Sequence, residues 1–446
     1  MVSITYALRR IKEDLAKFLE PDFVEHAARE IGHTWRDRRL TPAVTLHLFI
    51  LQMLSRNTAC RHLPHLSGQA FTASAYCQAR RRLPLNLITT LVFRIVDALQ
   101  PETRTARLWH GHRTILIDGS GFSMPDTPAL QAHFGQPGGQ QKGCGFPVAH
   151  LLATFDGGSG LILDLIASPL RTHDLRHVNQ IHPKLRPGDL LVADRGFCSF
   201  AHLARILRHD LHACFRVHQK QIVNFRPHRR PATAKQAKGC PRSRWLKRLG
   251  PLDQIVEWPR PGQRPRWMSE PDFAALPPSI RVRELRYRIA TPGFRVRAMT
   301  VVTTLLDAEK YPAADVAELH RTRWQTETNL RHLKTTLGMD VLHCKTVEGV
   351  LKEMWMFALV YNLVRLVMLE AARRQVVAPE RISFVDALRW LAHAPQDDAF
   401  PTLAINPDRV GRVEPRVIKR RIKEYTLMKK PRGQLRQLLL NGKLVA

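Results

Sequence analysis

The chain has 446 residues, enough for two or three domains and a sizeable core. Its 69 Lys and Arg exceed its 38 Asp and Glu, for a formal net charge of +31, which predicts a polyanionic partner, most commonly nucleic acid. A membrane surface is disfavoured because no long basic amphipathic helix stands out. The seven cysteines include no CxxC pair, so a disulfide framework and a structural zinc site are both unsupported, and reduced thiols are expected.

No targeting or membrane-spanning segment is predicted. The first ten residues lack the apolar core of a signal peptide. The longest uncharged run in the late apolar helix, 354–364, is 11 residues, which is too short to span a bilayer. The sequence therefore predicts a soluble intracellular protein with no membrane contact.

Residues 1–108 are predicted to form a helical DNA-binding region. An apolar helix at 43–54 has Thr41 as its N-cap and Pro42 at its first helical position. A second helix is predicted at 87–99. Three consecutive arginines lie between the two helices, and this pattern is as typical of a solvated charge run as of a DNA contact. They are Arg80, Arg81 and Arg82.

From residue 113 the pattern changes to short apolar strands, the first part of a predicted catalytic core at 109–218. The strands are predicted at 114–117, 148–155, 161–167, 189–193 and 214–217, with helices at 173–182 and 200–207. Asp118 follows the first strand and Asp194 the fourth. The order β-β-β-α-β-α-β indicates a mixed α/β sheet.

Residues 219–306 are predicted to be a basic insertion domain, β-rich or irregular. Within it, 219–280 holds 10 of the 30 prolines and 13 Lys or Arg against four acids, which indicates an inserted domain or a long basic arm. Strand-like alternation returns at 281–289 and 296–306.

The second part of the core is predicted at 307–375 and contains two helices, 313–337 and 346–373, of which the later is apolar around much of its circumference. A basic C-terminal region is predicted at 376–446. From residue 409 onward it has 12 Lys or Arg and two acids, typical of a nucleic-acid contact or of a tail that is disordered when free.

The first helix of that second part carries the most informative pattern. Arg323, Glu327 and Lys334 lie at relative positions 0, 4 and 11, within roughly 40° of one another around the helix. His320 and Arg331 widen this polar stripe to about 80°. An apolar stripe lies beside it, formed by Leu319, Leu330, Leu333 and Leu337. Docking by these leucines would hold one carboxylate among several cations at the edge of the core.

Asp118 and Asp194 share a setting, because each ends an apolar strand and is followed by glycine within two residues. The ends of adjacent strands lie about 5 Å apart, so two carboxylates there repel each other unless a cation lies between them. A third carboxylate from a helix over the sheet would complete an oxygen-rich site for Mg²⁺ or Mn²⁺. Three rival acids are less apt, since they lie in a Pro-rich loop, a hairpin turn and a strand interior: Asp126, Asp156 and Asp164.

At these residues the chain resembles the DDE transposases of the insertion-sequence-four family, which have a ribonuclease-H-like fold. Asp118-Gly-Ser and the segment 193–197, Ala-Asp-Arg-Gly-Phe, match the settings of the first two acids. The third acid lies in a signature of Tyr, two residues, Arg, three, Glu, six, Lys. The spacing holds at His320, Arg323, Glu327 and Lys334, with histidine where the family has tyrosine. The resemblance spans residues 110 to about 365.

The resemblance implies a DNA transposase, with cut-and-paste transposition expected. Asp118, Asp194 and Glu327 would be the catalytic acids and would bind two Mg²⁺ or Mn²⁺ ions, while a freed 3′-hydroxyl attacks the opposite strand or target DNA. The partners implied are double-stranded DNA, namely the element's terminal inverted repeats and the target, and a second copy of the chain in the synaptic complex. A bacterial cytoplasmic location with nucleoid association is expected. The phosphate or DNA contacts expected are His320, Arg323, Arg331, Lys334, Arg80, Arg81 and Arg82.

Two other functions remain open on the sequence. A stand-alone metal nuclease would use the same acids without strand joining, and a non-catalytic basic DNA-binding protein would use the acids only structurally. His320 would either replace a tyrosine contact to phosphate or pack in the core. Trp324 is equally compatible with packing and with DNA contact. Any tryptophan of the insertion could stack on an unpaired base: Trp245, Trp258 or Trp267.

Overall fold

The computed structural model describes residues 17–36, 38–138, 141, 143–232, 240–289, 298–393, 400–407 and 430–443. The first helices, which precede the sheet, are α1 (Pro21–Glu30), α2 (Pro42–Leu54), α3 (Leu63–Ser67), α4 (Ala73–Arg82) and α5 (Leu85–Ala106). Those within and beside the sheet are α6 (Pro128–Phe134), α7 (Val178–Ile181), α8 (Phe200–Arg208) and α9 (Glu270–Ala274). The later helices are α10 (Ala313–Thr322), α11 (Trp324–Arg331), α12 (Val347–Gln375), α13 (Phe384–His393) and α14 (Arg432–Leu440).

The strands form one mixed sheet in the order β3-β2-β1-β4-β5-β9-β8-β7-β6. Their bounds are β1 (Thr114–Ser123), β2 (Val148–Asp156), β3 (Ile162–Pro169), β4 (Leu190–Ala193), β5 (His212–Arg216), β6 (Arg244–Gly250), β7 (Asp253–Pro259), β8 (Ser279–Arg288) and β9 (Ala298–Thr303). β1 runs parallel to β4 and β4 parallel to β5, whereas the other neighbours are antiparallel. The predicted mixed α/β sheet flanked by helices is confirmed.

Alternation along β1 divides the core into two halves, one on each face of the sheet. Leu116 packs with the N-terminal helices and with α12, whereas Ile115 and Ile117 pack with α8 on the opposite face. Successive side chains of a strand point to opposite faces. Asp118, two residues after Leu116, therefore faces the side of the sheet that carries the late helices.

The basic insertion continues the main sheet. β6, β7 and β8 form an antiparallel ladder with β9, and β9 pairs with β5. Alternate side chains of this ladder, such as Val256 and Val282, are buried in the same core as α8. Burial of the alternate apolar side chains ties the ladder to the core, which favours the inserted domain over the long basic arm for these residues. The boundary proposed at 218–219 falls between strands of one sheet.

Three element predictions need correction. β1 does not end at Asp118 but runs five residues further, because β2 pairs with it as far as Ser123↔Val148. The helix predicted at 313–337 is divided at Arg323 and ends in a π-helical turn, 332–336. The helix predicted at 173–182 is a set of short 3₁₀ and α turns. Most of the basic tail, 408–429, lies outside the described residues.

α12 is the buried helix that its apolar sequence predicts. By length and composition α12 could cross a membrane, but 83% of its most apolar 18-residue stretch is buried inside the protein. It contacts α2, α5, α13 and β3. Packing within the core therefore accounts for its apolar surface.

Candidate active site

Asp118 and Asp194 lie side by side at the sheet. Ile117 of β1 is in register with Ala193 of β4, so the two aspartates are the next residues on neighbouring parallel strands. Adjacent strands are about 4.8 Å apart, which brings the two carboxylates to the same edge. The backbone N–H of Gly119 donates a hydrogen bond of 2.8 Å to Asp118 Oδ1. The structure thus places the first two predicted acids together.

Gly119 is required at its position by close approach rather than by its backbone angles. A Cβ atom there would lie 2.9 Å from His150 Cε1 and 3.1 Å from Asp174 Oδ1. His150 and Asp174 are bonded to each other on the face of the sheet opposite the acids. A larger residue at 119 would therefore require the His150 and Asp174 side chains, or β1 itself, to shift.

Glu327 reaches the site from α11 and is joined to Asp118 through Arg323. One Arg323 nitrogen, Nη2, lies 3.0 Å from Glu327 Oε1, and Nη1 lies 3.7 Å from Asp118 Oδ2. The arginine is located where the helix is interrupted between α10 and α11. The four leucines predicted to dock this segment are all buried: Leu319, Leu330, Leu333 and Leu337.

The acids interact electrostatically. Burial raises the pKa of Asp118 to about 6, and the carboxylates of Asp194 and Glu327 contribute to the increase. The Gly119 hydrogen bond and the Arg323 guanidinium oppose it. Like charges brought together in a partly buried site disfavour ionisation in this way. The site therefore holds negative charge that a cation would stabilise.

One carboxylate oxygen of Asp194 lacks a hydrogen-bond partner. This atom, Oδ1, is buried and accepts no hydrogen bond from the described residues. An unpaired buried oxygen is costly, and a hard cation would satisfy it. The carboxylate donor set fits Mg²⁺ or Mn²⁺, but within the described residues no three Asp, Glu, His or Cys side chains form a ready metal site. Arg323 lies between two of the acids instead.

The side chain of Lys334 contacts β1 just beyond Asp118. Its Nζ donates to Ser120 Oγ at 3.1 Å and to the carbonyl of Gly121 at 3.0 Å. Lys334 belongs to the π-helical turn after α11. Arg331, which was predicted to share this face, is exposed and lines a separate cleft of about 510 Å³ beside the β2–β3 turn. Arg323 thus contacts two of the acids, and Lys334 contacts β1 two and three residues beyond Asp118.

His320 does not reach the surface. The residue is only 3% exposed, and its Nδ1 lies 3.0 Å from the hydroxyl of Tyr287 on β8. Burial lowers the pKa of His320 to about 3, and Arg323 contributes to the decrease. A neutral buried imidazole is not placed to bind phosphate, so the structure favours the packing alternative for this residue.

The three arginines of α4 differ from one another. Arg80 is turned inward, where it donates to Gln52 Oε1 at 2.9 Å and to Cys344 Sγ at 3.2 Å. Its guanidinium is therefore engaged in packing rather than offered to phosphate. Arg81 and Arg82 are exposed. Arg82 also lines a cleft of about 920 Å³.

Several cationic residues on this cleft were not singled out from the sequence. The pattern that could have indicated them is the group of arginines at residues 36–39, just before α2, which is less conspicuous than the three consecutive arginines of α4. Among the residues that line the cleft are Arg36, Arg38, Arg39 and Trp35. Arg82 faces them from α4, so two segments remote in sequence form one basic surface.

The rival acids all have structural partners. Asp126 pairs with Arg432, Asp156 accepts from Ser159, and Asp164 pairs with Lys184. The insertion tryptophans are at least partly buried, and Trp258 donates to Glu284. Trp324 is 50% exposed beside Arg323, which leaves room for a contact with DNA.

Comparison with known proteins identifies the family. A family model described as the transposase DDE domain matches residues 109–363, more than half of the chain. The transposase InsG for insertion sequence element IS4 of Escherichia coli (strain K12) is 23% identical over 408 residues, covering 87% of this chain and 84% of that protein. The transposase for insertion sequence element IS231F of Bacillus thuringiensis subsp. israelensis is 23% identical over 374 residues, covering 78% and 77%.

A solved structure is also similar, though distantly. The cryo-EM structure of a piggyBac transposase synaptic complex with hairpin DNA aligns with a TM-score of 0.43 and 11% identity, covering 88% of this chain and 80% of that one. The family match is the finding that decides the class of protein.

The chain belongs to the DDE transposases, in the insertion-sequence-four family. Its mixed sheet, β1 to β9, lies within the residues that the transposase DDE domain matches. Members are enzymes that cleave and transfer DNA strands, and they generally use divalent metal ions.

Proposed function

We propose that this transposase cuts and joins the ends of its insertion sequence with Asp118, Asp194 and Glu327 as the catalytic acids. The observation that carries the proposal is the register of β1 and β4, which sets two aspartates side by side within the electrostatic reach of a glutamate from α11. Two bound Mg²⁺ or Mn²⁺ ions would supply stabilisation of the attacking and leaving oxygens of an in-line phosphoryl displacement. The unpaired Asp194 oxygen supports their binding here.

Arg323 and Lys334 are proposed to neutralise phosphate oxygens near the scissile bond. In the free protein Arg323 occupies the space between Asp118 and Glu327 and limits their repulsion. DNA and metal would compete with that arrangement, because the phosphate offers Arg323 a bidentate anionic partner and a metal offers the acids a cation. Lys334, whose ammonium group is hydrogen-bonded to β1, would keep its position and act as a point charge.

Sequence-independent affinity is assigned to the exposed arginines. Arg81, Arg82 and the cleft residues Arg36, Arg38 and Arg39 would contact the phosphate backbone of double-stranded DNA, both the terminal inverted repeats and the target. Arg331 would contribute from its separate exposed position. We further propose cut-and-paste transposition by a homodimer that holds two element ends, in the bacterial cytoplasm in association with the nucleoid.

The decisive experiment compares Glu327→Gln with Glu318→Gln. Glu318 is an exposed acid of the adjacent helix whose partner is the surface residue Arg321, so it is a matched control for charge. Purified protein is incubated with a labelled element end and Mn²⁺, and both strand cleavage and joining to a second duplex are measured. Glu327→Gln is expected to lose cleavage by roughly 10³-fold or more, while DNA binding is retained.

Glu318→Gln is expected to cleave like the wild type. Equal loss in both variants, or full cleavage by Glu327→Gln, would contradict the assignment. Joining of the cut end by the wild type separates a transposase from a nuclease that only cuts.

A further inference from the structure

The tyrosine that the family signature places at position 320 is replaced here by an imidazole, and a hydroxyl reaches that imidazole from elsewhere in the fold. Tyr287 lies 33 residues earlier in the chain, on β8, and its Oη is 3.0 Å from His320 Nδ1. The same hydroxyl lies 3.4 Å from the Met299 sulfur. Tyr287 therefore fixes one side of the His320 ring.

The Tyr287 hydroxyl has one proton, which it can donate either to the Met299 sulfur or to His320 Nδ1. The thioether is the weaker acceptor of the two, which favours donation to Nδ1. In the neutral ring the proton then lies on Nε2. This Nε2 is buried and has no hydrogen-bond partner among the described residues. An unpaired buried N–H is costly, so a partner is expected in the state that binds metal.

The matching acceptor is Asp194. Its Oδ1 is likewise buried without a partner in the described part of the chain. α10, which carries His320, contacts β4, and Asp194 directly follows the end of β4. The Asp194 charge also acts on the His320 ring, since it opposes the burial and the Arg323 and Arg216 charges that lower the pKa of His320. A donor and an acceptor that are both unpaired, buried and electrostatically coupled make a complementary pair.

We propose that His320 is a positioning residue for Asp194, and that Tyr287 orients the ring so that Nε2–H is directed at the Asp194 carboxylate. The inference rests on the proposed function, in which Asp194 is a metal ligand. Residues that hydrogen-bond to a metal ligand fix the orientation of that ligand, and their removal commonly lowers metal affinity by about 10–100-fold. Direct contact with phosphate is excluded for His320 by its burial.

The test uses two amides that imitate different nitrogens of the ring. In His320→Gln the side-chain nitrogen falls near the place of Nε2, whereas in His320→Asn it falls near the place of Nδ1. Binding of Mn²⁺ to the full chain without DNA is titrated by the loss of the free-ion electron paramagnetic resonance signal. His320→Asn is expected to weaken Mn²⁺ binding about tenfold, and His320→Gln by less than about threefold.

Tyr287→Phe removes only the hydroxyl and is expected to weaken Mn²⁺ binding by about threefold to tenfold. Its matched control is Tyr311→Phe. Tyr311 also bonds a histidine through its hydroxyl, 2.8 Å from His112 Nε2, but its ring packs against Trp109 and His110 rather than against the acids. This control is expected to leave Mn²⁺ binding unchanged, and the melting temperature of every variant is measured alongside.

Two results would overturn the inference. One is unchanged Mn²⁺ affinity in both His320→Asn and Tyr287→Phe. The other is an equal loss in His320→Asn and His320→Gln that follows the decrease in melting temperature. Asp194→Asn separates this failure from failure of the proposed function. If that variant binds Mn²⁺ like the wild type, Asp194 is not a ligand. If it loses binding while the His320 variants do not, only the positioning role fails.

Discussion

Arg283 and Arg323 both lie against acidic side chains, but they differ in burial and in how their donors are used. Arg283 is fully buried, donates to Asp253 through two nitrogens and gives its third to the carbonyl of Tyr311. Arg323 makes one contact with each of two acids, at 3.0 and 3.7 Å, at the edge of the sheet. Arg283 and Asp253 thus form a fully buried ion pair, called the sealed pair below. Arg323 with Asp118 and Glu327 forms a shared contact at the edge of the sheet, called the open arrangement below.

The difference distinguishes the candidate active site from a structural ion pair. In the sealed pair each of the three guanidinium nitrogens and both carboxylate oxygens have a hydrogen bond, so removal of either charge leaves the other buried without its partner. In the open arrangement the guanidinium is shared, one Asp194 oxygen is unused and the pKa of Asp118 is raised. A buried carboxylate oxygen that lacks a hydrogen-bond partner can bind an added ligand, such as a cation.

The largest expected effect comes from breaking the sealed pair. Asp253→Asn leaves the Arg283 charge buried and uncompensated, and should lower the free energy of unfolding by about 3–5 kcal/mol. Glu327→Gln, at the open arrangement, should change it by less than about 1 kcal/mol. Chemical denaturation of both variants measures this. Similar losses would mean that the two arrangements do not differ as described.

The next prediction concerns a buried histidine, His202, whose titration makes the free energy of unfolding depend on pH. His202 is fully buried, its Nδ1–H donates to the Phe197 carbonyl at 2.8 Å, and burial lowers its pKa from 6.5 to about 4. The unfolded chain takes up a proton below pH 6.5 whereas the folded chain does not. This stabilisation is therefore complete above pH 6.5 and is lost as the pH falls toward 4.

At pH 5 the loss from His202 should be roughly 2 kcal/mol relative to pH 8. His202→Asn keeps a donor for the Phe197 carbonyl but cannot titrate. Its unfolding free energy should be lower at pH 8 and should change less between pH 8 and 5 than that of the wild type. An identical pH dependence in the two proteins would show that His202 does not cause the loss of stability at low pH.

A smaller effect tests the open arrangement directly. Arg323→Gln removes the cation between Asp118 and Glu327, so their repulsion increases and the melting temperature without metal should fall by a few degrees. Added Mn²⁺ should raise the melting temperature of this variant more than that of the wild type, because no internal cation competes. An equal or smaller increase would show that Arg323 does not occupy the place of a metal.

The smallest effect separates the arginines of α4. Arg82→Ala should leave stability nearly unchanged and reduce the salt dependence of DNA binding by about one phosphate contact. Arg80→Ala should instead lower stability by about 1–3 kcal/mol, because it leaves the buried Gln52 oxygen with one fewer donor. Binding measured from low to moderate salt, with thermal unfolding, decides between them.

The sequence located the acids because their contexts are local. A short apolar run that ends in Asp and Gly marks the edge of a sheet, and helical spacing brings Arg323, Glu327 and Lys334 to one face. The four docking leucines followed from the same periodicity. The end of β1 was misplaced because pairing with β2, which is remote in sequence, extends the strand through three polar or small residues. The interruption at Arg323 and the π-helical turn likewise have no local signal.

The sequence by itself determined the class of protein, the mixed sheet and the excess of positive charge, and it predicted which three acids converge, since each depends on residue type and short-range spacing. Only the tertiary structure decided that Tyr287 supplies a hydroxyl to His320, that Arg80 is turned inward, and that two basic segments share one cleft. Those contacts join residues far apart in the chain. Their partners are selected by packing, which no local pattern records.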